Sequence, residues 1–121
     1  MLVLVVDGAN VVGSRPDGWW RDRAGAARRL HDRLATADLP CDEVVLVLEG
    51  AAKGGHPAGR DRDLRTVHAS GSGDDAIVAT VHDEVAAGHT VSVVTADRGL
   101  QLRVAAAGAT TWGPTWLLDR L

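Results

Sequence analysis

Phe and Tyr are missing from this chain, and Cys and Trp are scarce. Its 121 residues contain no Phe and no Tyr, and four Trp supply every aromatic ring. Nearly half of the residues are nevertheless apolar, so a core has to be packed mainly from Val, Leu and Ala. The length is sufficient for one such core but not for two. Residues 1–121 are therefore predicted to form a single domain.

Cysteine is limited to Cys41, which excludes an intrachain disulfide and any cysteine-rich metal site. This usage is typical of a reducing compartment, and we expect a cytoplasmic location. The longest apolar stretch at the start, residues 2–6, is too short for a signal-peptide core or a membrane span, and Asp7 interrupts it. We therefore expect no membrane partner.

Basic residues are fewer than acidic ones, 13 against 16, so the net charge is −3 with neutral histidines. The chain thus lacks the overall basic character of many nucleic-acid-binding proteins. Its cations are concentrated in two stretches: Arg15, Arg21, Arg23, Arg28, Arg29 and Arg33 in the first, and Lys53, Arg60, Arg62 and Arg65 in the second. Both stretches fit either a solvated surface or contact with an anionic partner.

Short apolar and β-branched runs predict five strands, at residues 2–6, 44–48, 64–69, 90–95 and 109–112. Apolar residues at steps of three and four predict helices at 20–34, 74–87, 98–107 and 115–121. The glycine-rich link 50–63 has no helical pattern and is predicted to be a flexible loop. Strands that alternate with helices favour an α/β fold with a parallel sheet and right-handed crossovers.

Acidic residues follow four of the five predicted strands. Asp7 closes the first strand, Glu49 follows the second, Asp74 and Asp75 follow the third after a Gly-Ser turn, and Asp97 follows the fourth. In an open parallel sheet, functional groups collect beyond the carboxyl ends of the strands. One acid at such a place is an ordinary turn or cap residue, but four such places together predict a functional site.

Carboxylates that converge on one edge repel each other unless a cation neutralises them. Their hard oxygen ligands suit Mg²⁺ or Mn²⁺, whereas no Cys/His spacing supports zinc. Asp74 and Asp75 both stand at a predicted helix start and point in different directions. We expect Asp74 to face the metal and Asp75 to cap the helix or to bind through water.

Four motifs in this order resemble the NYN domain of the PIN-like nuclease superfamily, especially its YacP-like branch. They are Val-Val-Asp7-Gly-Ala-Asn10-Val-Val, Leu-Glu49-Gly, Gly-Asp74-Asp75-Ala-Ile and Val-Thr95-Ala-Asp97-Arg98. The resemblance covers most of the chain. It implies a three-layer α/β sandwich, a parallel five-stranded sheet of order 3-2-1-4-5, and metal-dependent ribonuclease chemistry.

The resemblance also implies roles for single residues. Asp7, Asp74 and Asp97 would be the core metal-binding carboxylates, and Asn10 would orient Asp7 or contact the substrate. Thr95 would support Asp97. Two further positions remain open. Glu49 replaces the Asp common at its position and is expected in an outer role, and Arg98 would contact a phosphate or cap its helix.

Tryptophans offer further substrate contacts. Trp19 is predicted to stack on an unpaired base while nearby arginines contact phosphate. Trp20 falls on the apolar stripe of the first predicted helix and is expected in the core. Trp112 and Trp116 are expected to pack the C-terminal helix on the sheet. His68, on a predicted strand, is interpreted as structural.

The leading hypothesis is a Mg²⁺- or Mn²⁺-dependent endoribonuclease acting on single-stranded or structured RNA. A non-catalytic RNA- or nucleotide-binding module stays open because of Glu49 and the acidic net charge. A nucleotide phosphohydrolase also stays open, since the same acids suit nucleotide phosphates. A phosphotransfer receiver is disfavoured, because the only lysine is Lys53 in the predicted loop. A homodimer would supply extra substrate surface, and the sequence leaves the oligomeric state open.

Overall fold

A six-stranded sheet lies between two layers of helices in the computed structural model, which describes residues 1–121. The strands are β1 (Leu2–Asp7), β2 (Glu43–Leu48), β3 (Gly59–Asp61), β4 (Leu64–His68), β5 (Thr90–Val94) and β6 (Thr110–Trp112). The α-helices are α1 (Gly8–Gly13), α2 (Arg23–Thr36), α3 (Gly73–Ala86), α4 (Arg98–Ala106) and α5 (Pro114–Leu118). A first 3₁₀ helix spans Trp19–Arg21 and a second spans Gly50–Gly55.

The sheet is mixed, with strand order β3-β4-β2-β1-β5-β6. Strands β4, β2, β1, β5 and β6 are parallel, whereas β3 runs antiparallel to β4 at the edge. The predicted sheet of five strands, all parallel, is therefore wrong, and its order differs from 3-2-1-4-5 by the added edge strand. All three residues of β3 are exposed, so no apolar run marked this strand in the sequence.

The central strands are covered on both faces, as continuous apolar runs predict. Every residue of β2 is buried, and so are five of the six residues of β1. Alternate side chains of β1 and β2 enter two separate apolar clusters. One contains Leu4, Val6, Leu46 and Leu48 with Leu30 of α2 and Leu117 of α5; the other contains Val3, Val5, Val45 and Val47 with Ile77 and Val81 of α3 and Leu100 of α4.

Polar side-chain caps set the beginnings of helices α1 to α4. Asp22 accepts a hydrogen bond from the Gly25 backbone N–H at 2.8 Å, so α2 begins at Arg23 rather than at Trp20. Trp20 lies in the first 3₁₀ helix and is 50% exposed, so its predicted place in the core is wrong. The predicted loop 50–63 instead contains the second 3₁₀ helix and β3. No helix combines the length and apolar character needed to cross a membrane.

Candidate active site

Acidic side chains from four elements surround the carboxyl ends of the central parallel strands. Asp7 is the last residue of β1, and Glu49 directly follows β2. Asp74 lies in the first turn of α3, and Asp97 is the N-cap of α4, just after β5. We call these four residues the carboxylate group. The fold brings them to one edge although up to 90 positions separate them along the chain.

Asp7 is the most enclosed member, with 6% of its surface exposed. Its Oδ2 accepts a hydrogen bond from the Thr95 hydroxyl at 2.9 Å, and its Oδ1 accepts one from the Asn10 backbone N–H at 3.3 Å. Burial raises the pKa of Asp7 above its ordinary value, and repulsion from Asp74 and Glu49 adds to the rise. The two hydrogen bonds oppose this shift without cancelling it.

Thr95 connects two members of the carboxylate group. Its fully buried hydroxyl donates to Asp7 and accepts from the Asp97 backbone N–H at 3.1 Å. The Asn10 side-chain oxygen accepts from the Ala96 backbone N–H at 2.8 Å. The end of β1 and the turn before α4 are therefore held together by side chains, which fixes the position of Asp7. Asn10 and Thr95 are positioning residues in this geometry.

Gln101 completes this network from α4. Its side-chain amide donates to the Thr95 backbone oxygen at 2.9 Å. Gln101 was not predictable as part of the site, because nothing in a lone glutamine on a helix indicates which turn it contacts. Its spacing of four residues after Asp97 was the only available signal.

Asp74 is the second carboxylate with a raised pKa. Burial is the main cause, and repulsion from Asp97 and then from Glu49 adds to it, while Arg103 opposes the shift. Beyond the effect of burial, repulsion from Glu49 raises the pKa values of both Asp7 and Asp74, and Asp74 and Asp97 add to these shifts. The members of the carboxylate group therefore interact electrostatically. The site is therefore short of positive charge.

Glu49 and Asp97 each already accept a backbone hydrogen bond. Glu49 Oε2 accepts from the Gly73 N–H at 2.7 Å, and Asp97 Oδ1 accepts from the Leu100 N–H at 3.0 Å. A Cβ at Gly73 would lie 2.9 Å from the Glu49 carboxyl carbon, so only glycine leaves this contact undisturbed. In the sequence this glycine indicates only a turn, and its contact with Glu49 was not predictable.

Asp75 lies outside the carboxylate group. Its side chain is 73% exposed, and its Oδ1 pairs with the Arg103 guanidinium at 2.9 Å. Arg98 is exposed at the first position of α4 and forms no ion pair, so its guanidinium is free to meet a ligand. His68 Nε2 donates to the His56 backbone oxygen at 2.7 Å, which agrees with a structural role.

Tryptophans differ in their surroundings. Trp19 is half-buried next to the carboxyl edge, with the Arg23 guanidinium 4.9 Å from its ring centre. Trp112 and Trp116 stack on each other with ring centres 5.0 Å apart, at the end of β6 and in α5.

Lys53, expected in a flexible loop, instead donates to the Ala69 backbone oxygen at 3.1 Å.

The donor set of the carboxylate group has the chemistry of a hard-cation site, since it offers only oxygen. No three His, Cys, Asp or Glu side chains are, however, close enough together to form a complete metal-binding group as they stand. A cation at this edge would have to draw the carboxylates together or be bound partly through water. Mg²⁺ ordinarily keeps several of its water ligands in proteins.

Comparison with known proteins yields a match in structure only. No family model matches the chain, and no curated protein matches it in sequence. The crystal structure of a single-residue mutant of Rae1 (YacP) from Bacillus subtilis is similar, with a TM-score of 0.75 and 19% identity over 98% of this chain and 74% of that chain. Another crystal structure of Rae1 (YacP) gives a TM-score of 0.60 and 17% identity, over 98% of this chain and 72% of that one. The chain therefore has a three-layer α/β fold similar to that of YacP.

Proposed function

We propose that this protein is a ribonuclease that hydrolyses RNA phosphodiester bonds with the help of Mg²⁺ or Mn²⁺. The observation that supports this best is the carboxylate group itself, in which Asp7 and Asp74 both have raised pKa values beside further acids. Four acids at the carboxyl edge of a YacP-like sheet fit the nuclease chemistry that the sequence motifs imply.

A divalent cation would remove the repulsion that the carboxylate group now carries. Asp7, Asp74 and Asp97 would hold it, with Glu49 in an outer position because its side chain is one methylene longer than the Asp common at that place. When bound, such a cation supplies an activated water and neutralises charge on the phosphodiester. Asp75 would not bind the cation directly, because its side chain pairs with Arg103 at the start of α3.

The remaining side chains of the site prepare this geometry. Thr95 and Asn10 orient Asp7, which leaves the aspartate little freedom to turn away from the edge. Arg98 stands directly after Asp97 with no acidic partner. A phosphate oxygen of the substrate would be a strong acceptor for its guanidinium.

The surface around α2 supports RNA as the partner. A groove of about 400 Å³ is lined by Arg15, Arg29 and Arg33, none of which forms an ion pair, and Asp17 is the one acid in its lining. Four acids thus gather at the sheet edge, while unpaired arginines predominate in the groove beside α2. This separation suits a polyanion whose phosphates contact arginines beside the reacting bond.

Asp7→Asn and Asp97→Asn test the proposal, with Asp83→Asn as the matched control on the exposed face of α3. We expect the first two to abolish Mn²⁺-dependent cleavage of a labelled RNA while circular dichroism shows an intact fold. Asp83→Asn should cleave like the unaltered protein. Undiminished cleavage by both Asp7→Asn and Asp97→Asn would refute the proposed site.

Calorimetric titration with Mn²⁺, run on the same variants, tests whether the carboxylate group binds the cation, and assays of RNA binding and of phosphate release separate the other functions. RNA binding without turnover would favour a non-catalytic RNA-binding module. The spacing of the acids, which form no complete metal-binding group as they stand, is the observation that favours this alternative. Release of phosphate from nucleotides without RNA cleavage would identify a phosphohydrolase. The cytoplasmic location and the homodimer remain predictions, which fractionation and sedimentation would test.

A further inference from the structure

A cavity of about 380 Å³ opens beside the carboxylate group. Its walls come from α1, the first 3₁₀ helix, the start of α2 and the turn after β2. Two of its lining residues tie it to the site: Glu49 belongs to the carboxylate group, and Gly8 directly follows Asp7. A group seated in this cavity would therefore lie next to a phosphodiester at the carboxyl edge.

The lining of the cavity is mostly small and apolar. Small residues at its floor and rim keep it open, and they are Gly8, Ala9, Ala27, Gly50, Ala51, Ala52 and Gly71. Val12 and Leu48 supply the larger apolar contacts. The volume is at the small end of the roughly 300–1,000 Å³ of ordinary ligand pockets, so it suits one flat group rather than a chain of them.

Trp19 and Arg23 form the one aromatic and cationic wall. The Arg23 guanidinium lies 4.9 Å from the Trp19 ring centre, and the Trp20 ring meets Trp19 edge-on at 5.9 Å. The half-buried Trp19 is thereby held in place by contacts on several sides. An ordered indole beside a guanidinium is the arrangement that stacks on nucleobases and contacts the neighbouring phosphate.

We propose that this cavity, which we call the Trp19 pocket, takes a single unpaired nucleobase of the RNA strand adjacent to the cleaved bond. The inference rests on the proposed function, because that function places an RNA strand at the carboxyl edge of the sheet. It makes single-stranded RNA the substrate class, because a base can enter the pocket only when it is unpaired. The apolar walls provide stacking more than hydrogen bonding, so several bases fit.

Abasic RNA provides the test. A set of short labelled single-stranded RNAs, each with one base removed, is titrated by fluorescence anisotropy in EDTA, where metal-dependent cleavage does not occur. We expect the unaltered protein to lose about tenfold in affinity when the base at one position is missing. Trp19→Ala should bind the intact RNA about tenfold more weakly and should no longer respond to removal of that base.

Trp112→Ala is the matched control, because this indole is 45% exposed, does not line the cavity, and stacks on Trp116 rather than on Trp19. It should retain the response of the unaltered protein. Ala51→Leu, which fills the cavity without removing the indole, should weaken binding as Trp19→Ala does, and it replaces that variant if the latter does not fold. Equal losses in Trp19→Ala and Trp112→Ala, no sensitive position in the RNA, or no RNA binding would each overturn the Trp19 pocket.

The outcome is independent of hydrolysis. A base-dependent response in EDTA with no cleavage in Mn²⁺ would support the pocket and refute the ribonuclease proposal. Cleavage in Mn²⁺ with no role for Trp19 would do the reverse. Tighter binding of double-stranded than of single-stranded RNA would also contradict the pocket, since paired bases cannot enter it.

Discussion

Thr95 is the residue on which the geometry of the carboxylate group depends most. Its fully buried hydroxyl serves Asp7 and the Asp97 backbone N–H at the same time. Thr95→Val keeps the shape but leaves both partners without this contact. A buried polar group that loses its partner costs about 1–3 kcal/mol, so we expect the free energy of unfolding in urea to fall by that amount.

Thr95→Ser retains the hydroxyl and serves as the control. It should lose less stability than Thr95→Val and should retain more Mn²⁺-dependent cleavage, because Asp7 keeps its donor. Equal stability and equal activity of the two variants would show that the methyl packing of Thr95, rather than its hydroxyl, matters.

Asp74 makes the stability of the protein depend on pH. In the folded state its pKa is raised above the ordinary 3.8, first by burial and then by repulsion from Asp97 and Glu49. Between 3.8 and the raised value the folded chain binds more protons than the unfolded chain, so stability falls as pH rises through this window. The stabilising contribution is complete below pH 3.8 and is lost above the folded pKa.

Urea unfolding of the unaltered protein and of Asp74→Asn, compared between pH 3 and pH 8 in EDTA, isolates this effect. The variant lacks the titrating group, so the difference in unfolding free energy should change in favour of Asp74→Asn as pH rises. Mn²⁺ at neutral pH should stabilise the unaltered protein more than the variant. A difference that is constant with pH would contradict the raised pKa.

At the residue level, the sequence could locate the acids but not their partners. Asp7, Glu49, Asp74 and Asp97 were predictable because each follows an apolar run, and topology alone places strand ends together. The contacts of Gln101 and Gly73 join positions that only the folded backbone brings close. The direction of Asp75 toward Arg103 depended likewise on how α3 and α4 pack.

At the level of elements, two glycines at the starts of helices separate the effect of close packing from that of intrinsic helix propensity. A Cβ at Gly8, the first residue of α1, would lie 2.7 Å from the Val47 backbone oxygen, which cannot move without shifting β2. At Gly99, near the start of α4, the nearest atom would be Asp97 Oδ1 at 3.4 Å, an ordinary contact. The first site lacks space for a side chain, and the second has it.

We therefore expect Gly8→Ala to lower the free energy of unfolding by about 1–3 kcal/mol, as overpacking usually does. Gly99→Ala should raise it by about 0.5–1 kcal/mol, because alanine restricts the unfolded chain and favours the helix. Thermal and urea unfolding of both variants measure the two signs. Effects of the same sign would show that the close approach of α1 to β2 does not constrain position 8.

Apolar strands were predictable from the sequence, whereas the polar strand β3 and the short helix α1 were not. Residues 44–48 form a strand because every side chain in them is apolar and buried on one face or the other. Helix α1 has only six residues, which is too short for apolar spacing to reveal it, and no helix was predicted there. The polar strand β3 and the glycine-rich second 3₁₀ helix are stabilised by neighbours rather than by their own periodicity.

For the molecule as a whole, charge is divided between two regions although the net value is only −3. Arg60, Arg65 and Arg103 pair with acids, whereas Arg15, Arg29 and Arg33 do not. The sequence showed the clustering of arginines but could not show which were neutralised. That distinction depends on the tertiary positions of Glu43, Glu84 and Asp75, which lie on other elements.

Salt dependence of RNA binding follows from this division of charge. Each phosphate contact on a single strand contributes about 0.7 to the slope of log affinity against log salt. If Arg29 and Arg33 contact phosphates, Arg29→Gln with Arg33→Gln should reduce that slope by about 1.4. Arg62→Gln with Arg120→Gln removes the same charge at residues that do not line the groove and should leave the slope nearly unchanged. Equal changes in the two double variants would mean that net charge alone, and not the groove beside α2, attracts the strand to the carboxyl edge.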